Sequence, residues 1–321
     1  MRIKIIKMQG IGNDYIFLDK LEQLKEDDKY NYNNLISKIS DRHYGVGSDG
    51  VVVMYKSQKH DCFMQMYNND GSVGKMCGNA IRCVAKYLYQ YDKLNINKEL
   101  NFKKIKELNL KKEVILEIDT LSGVKYINLK VSNSEITNNK KNKNKAKIDK
   151  ITVNMGKPDF NVKNIPVIHS KINFLNQEVI IDQENKFKLT CVSIGNPHAV
   201  IILNNTKYNL ENLNIEKVGS KIENLKIFPE KVNVHFVELI NNKEVRMLVW
   251  ERGSGRTLAC GTGACAVVAT LVKNKLINKD TEILIHLEGG DLNIIQSSLD
   301  DNIYMSGEAN IVFEGEYNDE N

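Results

Sequence analysis

The chain has 321 residues, of which 42% are hydrophobic and 26% are charged, and its formal net charge is +5 at pH 7. This length favours two domains, because single hydrophobic cores seldom grow beyond about 250–300 residues. The composition argues against a disordered or membrane-spanning chain. The lysines are spread through Asn-rich stretches such as 138–147, so we also expect no nucleic-acid partner.

The N-terminal segment, MRIKIIKMQG, alternates charged residues with isoleucine and has no sustained apolar stretch or cleavage site. It therefore predicts a strand rather than a signal peptide, and we expect a cytoplasmic location without a membrane partner. The chain contains six cysteines, none of them in a C-x-x-C pair. In a reducing compartment they need not form disulfides, and their spacing does not favour a metal site.

Short β-rich runs bounded by Gly, Asn or Asp predict half-buried strands along the whole chain. In chain order they are VVVMYK, DCFMQMY, EVILEID, VNVHFVE, EVRMLVW and EILIHLE. Two helices are predicted, one after Cys77 with an apolar face and one after Cys260, ACAVVATLV, that is apolar all round and so enclosed by sheet. Lys-, Asn- and Glu-rich stretches near 22–34, 93–112 and 132–147 are interpreted as surface insertions.

A repeat with one fixed offset runs through the chain. MCGNAIRC and ACGTGACA place their leading cysteines, Cys77 and Cys260, 183 residues apart. The same offset relates the two Ile-Gly-Asn triplets that begin at 11 and 194, VVVM to VHFV, and MQMYNNDG (64–71) to MLVWERGS (247–254). A repeat this long predicts a duplicated domain, each copy with the same order of elements and its own cysteine.

Both repeated cysteines have a setting that suits proton transfer. Each precedes a predicted buried helix, whose positive N-terminal end is expected to lower the pKa of the thiol. Gly78 and Gly261 follow the cysteines and let backbone N–H groups approach a carboxylate. Inversion of an amino acid is most direct when one thiolate removes the Cα proton and a second thiol protonates the opposite face. The sequence therefore indicates a cofactor-independent racemase or epimerase.

The remaining cysteines lack this setting, and we interpret them as small buried core residues: Cys62, Cys83, Cys191 and Cys265.

Two segments, MCGNAIRC and ERGSGRTLACGTGACA, resemble the diaminopimelate epimerase family. Further segments resemble that family's successive blocks in the same order: KMQGIGNDYIF, DRHYGVGSDGVVV, YNNDGSVGKMCGNAIRC, IGNPHAV and KVNVHFVE. Outside the insertions, the resemblance covers essentially the whole chain.

The resemblance implies an α/β fold with two pseudo-symmetric domains, each a mixed β-sheet or barrel wrapped around a central helix, and an active site in the cleft between them. The corresponding division is 1–119 plus 307–321 for the first domain and 120–306 for the second. The implied activity interconverts LL- and meso-diaminopimelate, precursors of lysine and peptidoglycan, with no pyridoxal phosphate, other cofactor or metal. A homodimer is compatible with the resemblance.

The resemblance also assigns residue roles. Cys77 and Cys260 would be the acid–base pair, and His198 and Glu251 would assist proton movement to and from the thiols. The helix starts would surround the reacting carboxylate with Gly78, Asn79, Gly261 and Thr262. The other implied substrate contacts are Asn13, Asn68, Asn196, Asn233, Glu251 and Arg252, of which Arg252 suits a carboxylate because its guanidinium pairs bidentately. Gly50 stands where some members carry a glutamine, so no side-chain contact is predicted there.

Three alternatives stay open at this point. A proline or hydroxyproline racemase also uses two cysteines, although it tends to show DR-x-P before CGTG and a histidine after MCG, where this chain has ERGSGRTLA and Asn79. A phenazine-biosynthesis-like isomerase shares the fold but generally lacks the cysteine pair. A non-catalytic binding protein or a redox dithiol protein of this fold is the third alternative.

Overall fold

A computed structural model describes residues 2–94, 112–132, 147–182 and 185–319. The chain forms two compact units, of which unit 1 comprises Met1–Val153 with Gly307–Asn321 and unit 2 comprises Asn154–Ser306. Most of the low-complexity stretches predicted near 93–112 and 132–147 lie outside the described residues.

Within its described residues, unit 1 is built from a mixed sheet and two α-helices. Its strands are β1 (Arg2–Gly10), β2 (Asn13–Leu24), β3 (Gly50–Lys56), β4 (Cys62–Asn68), β5 (Val73–Gly74), β6 (Lys112–Asp119), β7 (Lys125–Ser132), β8 (Lys147–Gly156, which ends in unit 2) and β18 (Asn310–Asn318). Its helices are α1 (Asn33–Ser40) and α2 (Gly78–Gln90), with a short 3-10 turn at Lys25–Asp27.

Unit 2 is likewise built, within its described residues, from a mixed sheet and two α-helices. Its strands are β9 (Gln177–Ile180), β10 (Lys186–Ser193), β11 (Pro197–Ile202), β12 (Asn233–Asn241), β13 (Glu244–Glu251), β14 (Gly255–Thr257), β15 (Ile283–Leu287), β16 (Gly290–Gln296) and β17 (Ile303–Ser306). Its helices are α3 (Ile215–Glu223) and α4 (Gly261–Lys273).

The two units repeat one pattern of strand pairing. In unit 1, β2 is antiparallel to β1 and parallel to β3, and β4 is antiparallel to β3 and parallel to β6. In unit 2, β11 has the same relation to β10 and β12, and β13 to β12 and β15. The register also repeats at the offset of 183, because Tyr15 pairs with Gly50 and His198 pairs with Asn233. The duplicated mixed α/β domain predicted from the sequence is confirmed.

The compact units divide the chain differently from the sequence-based boundaries. Strands β7 and β8 extend the sheet beyond β6 by antiparallel pairing, so residues 120–153 belong to unit 1 rather than to the second domain. In unit 2, β16 and β17 extend the sheet beyond β15 by the same antiparallel pairing. The repeated unit therefore includes a pair of strands that lies outside the sequence segments matched around the two cysteines.

Each of the two repeated cysteines precedes a buried helix, as predicted. Cys77 and Cys260 have extended backbones and immediately precede α2 and α4. Helix α4 is apolar and packs on strands of its own sheet, which confirms its predicted enclosure. Helix α2 is buried on almost every side, including its fully buried Arg82, where the sequence predicted only one apolar face. Among the described helices, none combines the length and apolarity needed to cross a membrane.

Gly50 lies where two backbones approach closely. A Cβ added there would lie 2.1 Å from the carbonyl oxygen of Tyr67 and 3.2 Å from Cε1 of Tyr15. Gly50→Ala should therefore lower the free energy of unfolding by about 1–3 kcal/mol, the usual cost of overpacking a core, as measured by urea denaturation.

Gly315→Ala is the matched control, since its new Cβ would approach no atom closer than 3.9 Å. Wild-type stability in the Gly50 variant would contradict this account of the close approach.

Candidate active site

In unit 1 the predicted site residues gather at one edge of the sheet. Asn13 begins β2, Gly50 begins the parallel strand β3, and Asn68 ends the antiparallel strand β4. Gly50 pairs with both Tyr15 and Asn68, so these strand ends are neighbours. The amide of Asn68 donates to the Ser72 hydroxyl at 2.8 Å.

The sulfur of Cys77 has polar partners from two elements. The Tyr15 hydroxyl lies 3.6 Å from Sγ as a donor, and Sγ lies 3.5 Å from Oδ1 of Asn13. That oxygen also accepts from Nδ2 of Asn79 at 3.3 Å. The backbone N–H groups of Asn79 and Ala80 at the start of α2 point toward the sulfur as well. Cys77, Asn13 and Asn79, three of the predicted site residues, therefore lie together.

A carboxylate fixes the orientation of the Asn13 amide. Nδ2 of Asn13 donates to Oδ2 of Asp49 at 2.7 Å, and the other oxygen of Asp49 accepts from the Arg42 guanidinium at 2.8 Å. Because Asp49 is held by Arg42 and takes the amide hydrogens, the Oδ1 atom of Asn13 is left to face Cys77.

A buried guanidinium lies behind the start of α2. Arg82 is fully buried and donates to Oδ1 of Asn79 at 3.0 Å, to the carbonyl of Gly78 at 3.2 Å and to the carbonyl of Glu308 at 3.2 Å. Its positive charge favours the thiolate of Cys77, and its contacts hold the helix start in place.

In unit 2 the equivalent sulfur has a related environment. The backbone N–H of Gly263 donates to Sγ of Cys260 at 3.3 Å, and the Thr262 hydroxyl lies 3.5 Å from the same sulfur. Nδ2 of Asn196 donates to the Thr262 oxygen at 3.3 Å. Asn196 and Thr262 occupy the positions of Asn13 and Asn79 at the repeat offset. The equivalent side chains are therefore in contact in both units, but the direction of donation is reversed.

His198 lies behind Asn196 and is fully buried. Its Nε2 is 2.7 Å from Oδ1 of Asn196, and its Nδ1 is 2.8 Å from Nε2 of the fully buried His235. The structure therefore connects His198 to the Cys260 thiol through Asn196 and Thr262.

Glu251, Asn233 and Arg252 surround the same edge of unit 2. The Glu251 carboxylate accepts from the Thr257 hydroxyl at 2.6 Å and also interacts with the Cys260 thiol. The buried amide of Asn233 donates to the Pro197 carbonyl and accepts from the backbone N–H of Arg252. Asn233 thus orients the chain at Arg252, whose exposed guanidinium contacts the Glu230 carbonyl at 3.0 Å.

The expected lowering of the two thiol pKa values is wrong. Desolvation raises the pKa of Cys77, although the amides of Ala80 and Asn79, the Tyr15 hydroxyl and the charge of Arg82 act in the opposite direction. Desolvation, together with the negative charge of Glu251, raises the pKa of Cys260 well above its ordinary value. The helix-start donors do favour each thiolate, but they do not outweigh the loss of water around the sulfur.

The charges around the two sulfurs differ. Arg82 stands behind Cys77, whereas the equivalent position in unit 2 holds Cys265. A carboxylate, Glu251, acts on Cys260, whereas the equivalent position in unit 1 holds Asn68. Unit 1 therefore favours the thiolate more than unit 2 does.

Sequence reasoning missed Tyr15, Arg82 and His235. For Tyr15 a signal was available, since it occupies the position of His198 at the repeat offset. No sequence signal marks Arg82 as buried or His235 as a partner of His198, because both facts depend on packing.

The contact between Tyr15 and Cys77 leads to a measurable expectation. Tyr15→Phe removes one donor to the sulfur, so it should raise the pKa of Cys77 and slow its alkylation by iodoacetamide about tenfold near pH 8, the effect of losing roughly one hydrogen bond to a charged acceptor. Peptide mass spectrometry across a pH series would measure it.

Tyr44→Phe is the matched control, because that side chain is 92% exposed. Identical Cys77 pH profiles for the wild type and Tyr15→Phe would show that the hydroxyl does not act on the sulfur.

Comparisons with known proteins agree with the geometry. A family model described as diaminopimelate epimerase matches residues 5–160 and 190–312. A protein of Acetivibrio thermocellus named diaminopimelate epimerase is 40% identical over 314 residues, covering 98% of each chain. One of Methanococcus maripaludis with the same name is 41% identical over 315 residues, covering 98% of this chain and 99% of the relative.

A solved structure shares the fold at much lower identity. A hydroxyproline epimerase of Agrobacterium vitis with bound trans-4-hydroxy-L-proline matches with a TM-score of 0.62 and 12% identity, covering 98% of this chain and 92% of that one. This likeness supports the mixed α/β fold and carries no information on substrate. The family match and the 40% identity are what decide between the alternatives, and the chain belongs to the diaminopimelate epimerase family of isomerases.

Proposed function

We propose that this chain interconverts LL- and meso-diaminopimelate by proton transfer at one Cα, with Cys77 and Cys260 as the two acid–base groups. One observation carries the proposal: both cysteines precede buried helices at equivalent places of a duplicated domain, each with amide and hydroxyl donors on its sulfur. The names of the relatives in the family supply the substrate.

The helix starts suit the reacting carboxylate. The first N–H groups of a helix have no partner within the helix, and the positive end of its dipole favours negative charge. Residues Gly78, Asn79, Gly261 and Thr262 would supply these groups. Removing the Cα proton moves negative charge onto the carboxylate, so donors there would stabilise the transition state.

The proton balance needs one thiolate and one thiol. The thiolate takes the Cα proton, and the other cysteine gives its S–H proton to the opposite face of the resulting carbanion. The negative charge then lies on the second cysteine. We propose Cys77 as the thiolate that removes the proton from LL-diaminopimelate, because Arg82 and the Tyr15 hydroxyl favour its charge. Cys260 is then the acid, since Glu251 disfavours its ionisation.

The remaining predicted residues are proposed to bind the substrate or support the thiols. Arg252 is exposed and suits the distal carboxylate. Asn13, Asn68, Asn196 and Asn233 are proposed to contact the substrate, chiefly at its distal centre. Glu251 would exchange a proton with Cys260, and His198 would act on that thiol indirectly through Asn196.

Single alanine variants test the cysteine pair. Cys77→Ala and Cys260→Ala should each lower kcat for inversion of LL-diaminopimelate by at least about a hundredfold, because a proton-transfer group contributes on the order of 10²–10⁴-fold to the rate. Turnover would be followed by chiral chromatography without added pyridoxal phosphate.

Cys83→Ala and Cys265→Ala are matched controls, since these buried cysteines lie on the same two helices and have no proposed role. Retained turnover in both Cys77→Ala and Cys260→Ala would refute the mechanism. Turnover of L-proline with none of LL-diaminopimelate would refute the substrate.

A cytoplasmic location and a homodimer stay predictions. Light scattering on the purified protein would determine the oligomeric state.

A further inference from the structure

A chain of hydrogen bonds leads from a buried histidine to the Cys260 sulfur. It runs from His235 to His198 at 2.8 Å, from His198 to Asn196 at 2.7 Å, from Asn196 to Thr262 at 3.3 Å and from Thr262 to Sγ at 3.5 Å. The mechanism proposed above uses its last members but assigns nothing to His235.

Both imidazoles in this chain are neutral. Desolvation lowers the pKa of His235 to about 3, and desolvation with the charges of His235 and Arg252 lowers the pKa of His198 well below its ordinary value. A neutral imidazole has one nitrogen that donates and one that accepts. The hydrogen bonds must therefore either all donate toward Cys260 or all donate toward His235.

The free nitrogen of His235 distinguishes the two directions. Its Nδ1 atom is buried and has no hydrogen-bond partner among the described residues. If His235 donates from Nε2, Nδ1 carries only a lone pair. In the opposite direction Nδ1 would carry a buried hydrogen without an acceptor, and orphaned N–H groups are the rarer and more costly case.

The favoured direction determines what the Thr262 hydroxyl does. With His235 donating, Nε2–H of His198 donates to Oδ1 of Asn196. Nδ2 of Asn196 then donates to the oxygen of Thr262, and the hydroxyl hydrogen of Thr262 is left for Cys260.

We infer that His235 is a positioning residue that sets the direction of this chain, so that the Thr262 hydroxyl donates to Sγ of Cys260. The inference rests on the proposed two-thiol mechanism. In that mechanism each inversion of LL-diaminopimelate leaves the negative charge on Cys260, beside the Glu251 carboxylate. A hydroxyl held as a donor offsets that repulsion.

The packing around His235 supports a fixed position for its ring. A Cβ at Gly263 would lie 2.3 Å from Cε1 of His235, so the ring lies directly against the first turn of α4. His235 therefore contacts the same helix turn whose Gly263 N–H donates to the sulfur. Two charged groups act on members of the hydrogen-bond chain: Glu251 on Cys260 and Arg252 on His198.

The test compares the two cysteines of one molecule. In the full-length His235→Leu variant, iodoacetamide should alkylate Cys260 about tenfold more slowly near pH 8, because a thiol that loses a donor has a raised pKa and less thiolate. Alkylation of Cys77, in the other unit, should not change. Peptide mass spectrometry across a pH series reads both sites.

Two further variants separate positioning from packing. His235→Gln keeps a donor in reach of His198, so the alkylation rate of Cys260 should stay within about twofold of the wild type. Thr262→Val should slow alkylation of Cys260 as much as His235→Leu does, because each of these two changes removes roughly one hydrogen bond to the sulfur. The double variant His235→Leu/Thr262→Val should show no further slowing of Cys260 alkylation, because both changes break the same chain of hydrogen bonds.

Equal slowing of Cys77 and Cys260, or additive losses in the double variant, would overturn the inference. If His235→Leu does not fold, Thr262→Val and His235→Gln test the inference instead. Slow alkylation of Cys260 in His235→Gln would then contradict it. Alkylation needs no substrate, so this result is independent of whether the wild type inverts diaminopimelate.

Discussion

The balance between desolvation and hydrogen-bond donation at two helix-start sulfurs governs the rest of this structure. A sulfur at the start of a buried helix is removed from water, which disfavours its charged form, yet it receives amide and hydroxyl donors that favour it. Desolvation is the larger effect at both Cys77 and Cys260. The proposed reaction needs one thiolate and one thiol, and a raised pKa at both sulfurs favours keeping at least one of them protonated.

Gene duplication supplied two such sulfurs, and later differences made them unequal. The strand register, the asparagine at the start of β2 or β11 and the capping cysteine recur at one offset. Around them, Arg82 and Tyr15 favour the charge of Cys77, while Glu251 opposes that of Cys260. The duplicated scaffold thereby surrounds its two helix-start sulfurs with different charges.

Much of the fold was predictable because the repeat and the short apolar runs are local in sequence. The place of the two cysteines at helix starts follows from motifs, whereas the contacts of Asn13 with Asn79 and of Asn196 with Thr262 emerge only from the packed structure. The sign of the thiol pKa shifts did not follow, because it depends on how much water the packed chain removes. The direction of the chain from His235 to Thr262 depends on one unpartnered nitrogen, Nδ1 of His235, which no motif encodes. Strands β7 and β8 fall in unit 1 because β7 pairs with β6 and β8 pairs with β7, a relation that similarity to the cysteine motifs does not reveal.

Inversion in deuterated water tests the central claim, two thiols acting on opposite faces of one carbon, most directly. At low conversion the two-thiol account predicts that product carries one deuterium at the inverted Cα, because the donor thiol exchanges with solvent, while recovered substrate keeps its hydrogen. Product without deuterium, or deuterium in substrate as early as in product, would contradict it, since either pattern indicates a single group that returns or exchanges the proton on one face.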